Sequence, residues 1–397
     1  MKILMLTPYL PYPPASGGQI RTLYLLKYLS ANHDITLVSL YKHDEEKQYT
    51  TYLKQYCKSI HVCKRAENPW QLSNIVGAVF SKLPFLIVRN FSKEAQAVIE
   101  TLLKRESFDV IHAETFYIMP HIPETTIPVL LVEQTIEYRV YQHFISSLPF
   151  FLRFPLLLDI HKLKFWEKYY WRKATLVATV SAYDKRQLML LEPSVEPVII
   201  PNGAGDDMFV KHFEKKNLQK ARLLFVGNFS WLQNIEAAEY LVEYIFPKLK
   251  KRVKNIELII VGQNSHQKLK LHRKKGVVID DIPPAKSEKV KDYYRSATLF
   301  LAPIFGPGGT RLKILASMAS GVPVVSTTTG VEGLGIEPGK EALVANDVEG
   351  FVDSIVSILQ DKKKYDTVRK NAFELVKRQY SWKMITKQLE LVYNQIT

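Results

Sequence analysis

Cysteine is nearly absent: Cys57 and Cys63 are the only two in 397 residues. They do not form a Cys-x-x-Cys pair, so neither a disulfide framework nor a zinc site is expected, and a reduced, cytosolic setting fits best. Long apolar runs are also missing. The nearest to a membrane span, Phe144 to Ile160, is broken by Arg153, Asp159 and two prolines, so no spanning helix is expected. The first residues carry one lysine and a short apolar run, Ile3 to Leu6, followed by prolines at 8, 11, 13 and 14; that is not the pattern of a signal peptide. No Gly-Lys-Ser/Thr follows a glycine-rich loop, which excludes a P-loop. The spacing of Gly306, Gly308 and Gly309 does not fit the dinucleotide fingerprint. No recognised DNA or RNA module is visible, so no nucleic-acid partner is expected.

Positive charge is plentiful. The formal net charge is +15, with 54 Lys and Arg against 39 Asp and Glu. Such a surface favours anionic partners: a nucleotide-linked donor, acidic lipid, an anionic glycan or nucleic acid. Charge alone does not choose among them. The length implies two or more domains and ample core.

The most informative stretch is Ala297 to Leu334. It reads as a strand from Thr298 to Ile304, a glycine-rich loop from Phe305 to Gly309, a helix from about Thr310 to Ser320 stopped by Gly321, and a strand from Val322 to Thr327. A loop of this kind presents backbone N–H groups at a helix N-terminus, where the dipole also favours an anion. Arg311 and Lys313 lie in the first turn, where their charge opposes the dipole. A bound phosphate or diphosphate would recover that cost. A tight connection with two solvated basic residues is the plainer alternative for this segment in isolation.

The rest of the chain repeats the theme. It opens with a strand, Lys2 to Thr7, a long loop ending in Ser16-Gly17-Gly18, a helix from Ile20 to about Ala31 and a strand from Ile35 to Leu40. Further apolar runs at 109–112, 129–132, 176–180 and 198–200 alternate with helical stretches, as in a parallel sheet covered on both faces. A Pro/Gly-rich break follows at Pro197 to Gly205. The pattern then restarts: strand Leu223 to Val226, loop Gly227 to Ser230, helix Asn234 to Lys250, strand Ile256 to Val261. The expected fold class is therefore α/β, with two doubly wound Rossmann-like domains facing across a cleft at the carboxyl ends of their strands. The boundaries are placed at 1–198 and 199–380. A last helix, 381–397, is expected to pack back on the first domain.

The motifs that sit on this framework resemble those of GT-B retaining glycosyltransferases of the group 1, or family 4, class. Pro11 to Arg21 is similar to the N-terminal loop of that family, and Val177-Ala-Thr-Val-Ser-Ala-Tyr-Asp184 to its "V-x-x-V-S-x-x-D" segment. Ile199-Ile-Pro-Asn-Gly203 with Phe209 resembles the interdomain motif. Leu224-Phe-Val-Gly-Asn228 with Asn234 resembles the opening of the second domain. Gly309-Thr-Arg-Leu-Lys-Ile-Leu315, Met318-Ala319 and Gly321-Val-Pro-Val-Val325 resemble "G-T-R-L-K-I-L-E-A-M-A-x-G-x-P-V-V", extended by Thr327 to Gly330 and Glu332-Gly-Leu334. Each piece is modestly specific; the ordered set spans nearly the whole chain.

The resemblance implies transfer of a sugar from a nucleotide-sugar donor, with retention and no obligatory metal or other cofactor, to a glycan or lipid-linked acceptor. Asp206-Asp207 and Asp280-Asp281 lack the Asp-x-Asp spacing of metal-dependent transferases and read as loop and cap residues. On this reading Arg311 and Lys313 offset charge developing on the leaving diphosphate. Gly17, Gly18, Gly227, Asn228, Gly308, Gly309 and Thr310 contribute to donor binding. In the first domain Glu133-Gln-Thr-Ile-Glu137 resembles "E-H-N-x-E". Glu133 is the catalytic candidate there, and His112, Gln134 and Glu137 are candidates to contact the acceptor; structural roles are the alternative for each. With Gln134 where His is common, that position cannot act as a general base.

The chain also departs from the family. Two glutamates eight positions apart are common around the glycine-rich helix; here the corresponding residues are Gly308 and Ala316. A carboxylate at 316 could accept two hydrogen bonds from ribose hydroxyls, and alanine cannot. Glu332 is the nearest substitute in sequence. A catalytically degenerate GT-B protein that binds nucleotide or glycan is therefore the alternative function, and a sugar-nucleotide epimerase a less favoured one. Finally, Phe165, Trp166, Tyr169 and Tyr170 recur at helical spacing among Lys162, Lys164, Lys168, Arg172 and Lys173. A core-facing helix with a basic solvated side is the preferred reading. A helix touching anionic lipid, which would place the protein peripherally at the inner face of the cell membrane, is the other.

Overall fold

A computed structural model describes residues 1–269, 275–306 and 312–397. They form two units: Met1–Pro201 together with Thr386–Thr397, and Asn202–Ile385.

The first unit is built on seven strands: β1 (Lys2–Thr7), β2 (Asp34–Tyr41), β3 (Ser59–Lys64), β4 (Val110–Glu114), β5 (Val129–Glu133), β6 (Leu176–Thr179) and β7 (Val198–Ile199). Their order is β3-β2-β1-β4-β5-β6-β7, and every pairing is parallel. Ile3, Leu4, Met5 and Leu6 are all fully buried, because helices cover both faces and a strand so enclosed has no polar side. The chain leaves β1 in one direction to β2 and β3, then returns to its other side at β4. Ligands of open α/β sheets bind at the carboxyl ends of the strands where the order reverses, here β1 and β4.

The helix after β1 spans Gly17–Leu29, not Ile20 onward. Ser16 is its N-cap, accepting from the Gln19 N–H at 3.4 Å. Gly17 and Gly18 are thus its first turn, a correction to their assignment as loop. Further along, Ser181 and Asp184 cap the helix Ala182–Leu191: Ser181 Oγ accepts from the Asp184 N–H at 3.1 Å. The helix Phe150–Lys173 turns Leu163, Tyr170 and Trp171 into the core and packs Trp166 partly against it, whereas Phe165 and Tyr169 are exposed, so the core-facing reading holds for only part of the aromatic set.

The second unit holds β8 (Ala221–Val226), β9 (Ile256–Gly262), β10 (Val277–Asp281), β11 (Leu299–Ala302), β12 (Val324–Ser326) and β13 (Leu343–Val344). The order is β10-β9-β8-β11-β12-β13, again parallel throughout, with the reversal between β8 and β11. The expected Asn234–Lys250 helix is interrupted. It runs as Leu232–Tyr240, a π-helical turn Leu241–Ile245, and Phe246–Arg252. Pro247 has no N–H to continue the regular ladder, and the wider turn before it absorbs the misfit. The Leu312–Ala319 helix ends at Gly321, whose φ of 64° is the left-handed stop anticipated from the sequence. Asp280 and Asp281 close β10 rather than lying in a loop, and Asp281 accepts from the N–H groups of Asn264 and His266 at 3.1 and 3.3 Å.

Candidate active site

In the second unit the carboxyl end of β8 runs directly into Gly227 and Asn228. Gly262, at the end of β9, has φ 148°, and a Cβ there would lie 1.7 Å from the Gly227 carbonyl oxygen. Two backbones therefore approach at a distance only glycine allows. The Gly227 N–H donates to Val261 O at 3.0 Å. Asn228 Nδ2 donates to Gln263 Oε1 at 2.9 Å, and Asn234 Nδ2 donates to the Asn228 carbonyl at 2.7 Å. The other end of the Asn234 amide accepts from Lys313 Nζ. Lys313 Nζ also lies 4.9 Å from the centre of the Phe225 ring. A rigid chain of contacts thus leads from the β8–β9 turns to one ammonium group in the first turn of the Leu312–Ala319 helix.

In the first unit the organising group is Glu114, the last residue of β4. Arg21 Nε donates to its Oε1 at 3.2 Å, with both side chains fully buried. His112 Nε2 lies 3.0 Å from the same oxygen, and Gln134 Nε2 donates to Oε2 at 2.6 Å. A carboxylate only accepts, so His112 Nε2 carries the proton and Nδ1 accepts from Tyr393 Oη at 2.5 Å. Burial pushes the Glu114 carboxyl up, but Arg21, His112 and Gln134 outweigh it and hold it down at about 2. Arg21 Nη1 also donates to the carbonyls of Ile200 and Pro201, both at 3.1 Å. Gln134 Nε2 reaches Tyr9 Oη at 3.0 Å. A Cβ on Gly18 would fall 2.0 Å from that hydroxyl and 2.9 Å from Gln134 Oε1, which explains a glycine inside a helical turn.

Residues 220–361 match the family described as Glycosyl transferases group 1. The matched stretch is 142 of the 397 residues. Over the whole chain, an uncharacterized 44.6 kDa protein in the cps region of Klebsiella pneumoniae is 24% identical across 397 residues, 97% of each chain. The lipopolysaccharide core biosynthesis mannosyltransferase LpsB of Rhizobium meliloti is 24% identical over 247 residues, 58% of this chain and 68% of LpsB. The structure of Anabaena HepE in complex with UDP-glucose superposes with a TM-score of 0.67 at 14% identity, covering 100% of both chains. The fold is GT-B.

Of the residues singled out from sequence, Gly227, Asn228 and Lys313 come together through Asn234. Gly308, Gly309, Thr310 and Arg311 lie outside the described residues. Glu332 is half-buried immediately after the short Thr328–Val331 helix. Ala316 is half-buried on the Leu312–Ala319 helix and packs against the core. Gln134 and His112 meet at Glu114, and His112 is fully buried with both ring nitrogens engaged. It supports Glu114 rather than offering an edge to solvent.

Glu133 and Glu137 belong to a separate buried cluster. Trp171 Nε1 donates to Glu133 Oε1 at 2.8 Å. Glu167 accepts from the backbone N–H groups of Glu137 and Tyr138 at 2.6 and 3.1 Å, capping the helix Glu137–Ser146. Burial first, then repulsion among these carboxyls, raises Glu133 and Glu167 well above the usual range. Burial also raises Glu137 to about 7, against the pull of Arg89. Glu133 is 1% exposed and lies against Trp171, so the arrangement corrects the expectation of an open strand-end carboxylate there. Arg21 and Glu167 join the site without having been singled out by sequence. Arg21 stands out there only as part of a loop motif, and Glu167 reads as one charge on a basic helix. Among the described residues no group of three or more His, Cys, Asp and Glu is placed to hold a metal ion.

Proposed function

We propose that this protein transfers a sugar, with retention, from a nucleotide-sugar donor to a glycan or lipid-linked acceptor in the assembly of an envelope or capsular polysaccharide, without a metal or other cofactor. The observation that carries the reading is Lys313, fixed by Asn234 within a matched group 1 glycosyl transferase domain. The cps-region protein and LpsB support the polysaccharide setting, and the UDP-glucose bound by HepE supports the donor class.

In the proposed reaction the bond from the anomeric carbon to the diphosphate oxygen breaks on the face that the acceptor hydroxyl attacks. The new bond joins the acceptor oxygen to the anomeric carbon, and its proton passes to the departing diphosphate. Such a step needs positioning and charge stabilisation more than a protein base. Lys313 supplies a fixed positive charge, joined by Arg311 and the backbone at Gly308, Gly309 and Thr310. Gly227 and Asn228 shape the donor pocket, and Glu332 is assigned to the ribose. Gly17 and Gly18 are assigned to the donor as well. Glu133, Gln134, His112 and Glu137 position the acceptor surface from beneath. A thermal-shift screen of nucleoside diphosphates and nucleotide sugars, followed by hydrolysis of whichever one stabilises, tests this reading; no response to any of them contradicts it.

Ala316 favours one alternative reading, a nucleotide-binding protein that has lost transfer. Stabilisation by a nucleotide sugar without turnover in the presence of cell-envelope glycan and lipid extracts would select it.

The proposal includes a peripheral contact with an anionic membrane at the inner face. Leu72 and Phe80 on the helix Leu72–Phe80 are 75% and 85% exposed, and Phe150 and Leu158 on the helix Phe150–Lys173 are 82% and 61% exposed. Lys162 Nζ ties the two helices by donating to the carbonyls of Ala78 and Ser81 at 2.7 and 2.8 Å. Exposed Lys82 and Lys164 add charge. Among the described residues no helix is long and apolar enough to cross a membrane, and an apolar face bordered by lysines suits a bilayer surface. Flotation with vesicles containing acidic lipid tests it; no flotation removes this part.

A further inference from the structure

Lys42, Arg65 and Arg89 are half-buried at one end of the first unit. Lys42 follows β2 and Arg65 follows β3, so both stand at the carboxyl edge of the sheet. Arg89 lies on the helix Phe85–Asn90. The three are close enough to repel one another: burial first, then Arg65 and Arg89, pulls the Lys42 ammonium down, and burial with Arg89 pulls Arg65 down. Among the described residues none of the three makes an ion pair.

Their remaining contacts neutralise them only in part, since Arg89 also pulls on the Glu137 and Asp159 carboxyls. Arg65 Nη1 donates to Asn90 Oδ1. Arg89 packs its guanidinium 5.6 Å from the Phe85 ring and 5.9 Å from the Tyr141 ring. The nearest carboxylate on the β2 side is Glu46, and its Oε1 already accepts from the backbone N–H groups of Lys42 and His43 at 3.1 and 2.9 Å. Arg65 Nε and Arg89 Nε are both buried and have no hydrogen-bond partner. A buried charged donor left without an acceptor is costly. Thr115, which follows β4 at the same carboxyl edge of the sheet, has φ 79°, a backbone strain of the kind found at functional sites.

We infer that Lys42, Arg65 and Arg89 form a binding site for a phosphate or diphosphate group carried by the acceptor. A diphosphate brings enough charge and enough oxygen acceptors for both orphaned Nε–H groups and the lysine, and arginine forks suit phosphate oxygens. The inference rests on the proposed transfer reaction, and narrows its acceptor to a phosphorylated one. The site belongs to the first sheet.

Lysine acetylation read by peptide mass spectrometry tests it on the full chain. Inorganic pyrophosphate at millimolar concentration should slow acetylation of Lys42 and leave exposed Lys93 unchanged. Arg65→Gln should raise the pyrophosphate concentration needed by about tenfold, the loss of one charge-assisted hydrogen bond, and Arg65→Lys should recover part of it. Farnesyl diphosphate protecting Lys42 at lower concentration than pyrophosphate would identify a lipid-linked source; equal protection would identify a soluble one. Sulfate protecting as well as pyrophosphate at matched ionic strength would mean an adventitious ion only and would overturn the inference, as would unprotected Lys42 in the wild type. Lys313 is read in the same digests with nucleoside diphosphates. Protection of Lys313 without protection of Lys42 sinks this inference and leaves the donor reading standing; the reverse sinks the donor reading.

Discussion

Arg21 Nε lies 3.2 Å from Glu114 Oε1, and neither side chain is exposed. The pair joins the first helix to the end of β4, and the same guanidinium holds the carbonyls of Ile200 and Pro201. One buried pair thus fixes the switch point of the sheet and the last residues of the first unit's main segment.

Removing one partner should therefore be expensive. Arg21→Met leaves a buried carboxylate without its main counter-charge and should cost about 3–5 kcal/mol, measured by urea denaturation. Arg21→Met with Glu114→Gln should recover a large part of that loss. The pair also predicts acid sensitivity. Glu114 is held at about 2, below its ordinary 4.5, so its contribution is present above pH 4.5 and is lost as pH falls towards 2.

Glu137 has the opposite sign. Its carboxyl is raised from 4.5 to about 7, so between those values the folded state binds more protons than the unfolded state. Stability from this group falls as pH rises from about 4.5 to 7. Glu137→Gln should flatten that part of the profile of denaturation midpoint against pH. A slope identical to wild type would contradict the assignment.

Gly262→Ala should damage the second unit locally. The new Cβ would meet the Gly227 carbonyl at 1.7 Å, and the φ of 148° disfavours any side chain. We expect a loss of about 1–3 kcal/mol from backbone strain, with weaker nucleotide binding by calorimetry because Gly227 and Asn228 move. Unchanged stability and affinity would show that the close approach has no role.

Ala316→Glu tests the departure from the family pattern. The position is half-buried on the Leu312–Ala319 helix, so a carboxylate can reach solvent from it. If the ribose lies where the resemblance places it, two new charge-assisted hydrogen bonds should tighten nucleotide binding at least tenfold, about 1.4 kcal/mol. Unchanged affinity in calorimetry argues against that placement.

The alternation of apolar runs with helical stretches is enough to read two parallel α/β sheets, because buried parallel strands are nearly continuous in Val, Ile and Leu. Short or polar strands escape: β3 begins Ser-Ile-His and β13 has two residues. Gly17 and Gly18 read as loop because glycine is a poor helix former, and only the tertiary approach of Tyr9 Oη explains Gly18 in a helix. Local motif order singles out Gly227, Asn228 and Lys313, which the fold links through Asn234. Glu114, Arg21 and Tyr393 are far apart in sequence and meet only through the fold, so no spacing rule could join them. Glu133 resembles a cleft carboxylate because a strand-end position does not reveal that Trp171 and Glu167 close over it.

The most direct test of the account follows a nucleotide sugar by proton NMR with wild type and Lys313→Ala, using the sugar that stabilises the protein best. The account predicts that wild type consumes it and first releases sugar in the anomeric configuration of the donor. It also predicts that Lys313→Ala, still folded, is slower by about 10²–10³-fold, the usual effect of removing one group that stabilises developing charge. Equal rates for the two proteins, or release of the inverted anomer first, would contradict it.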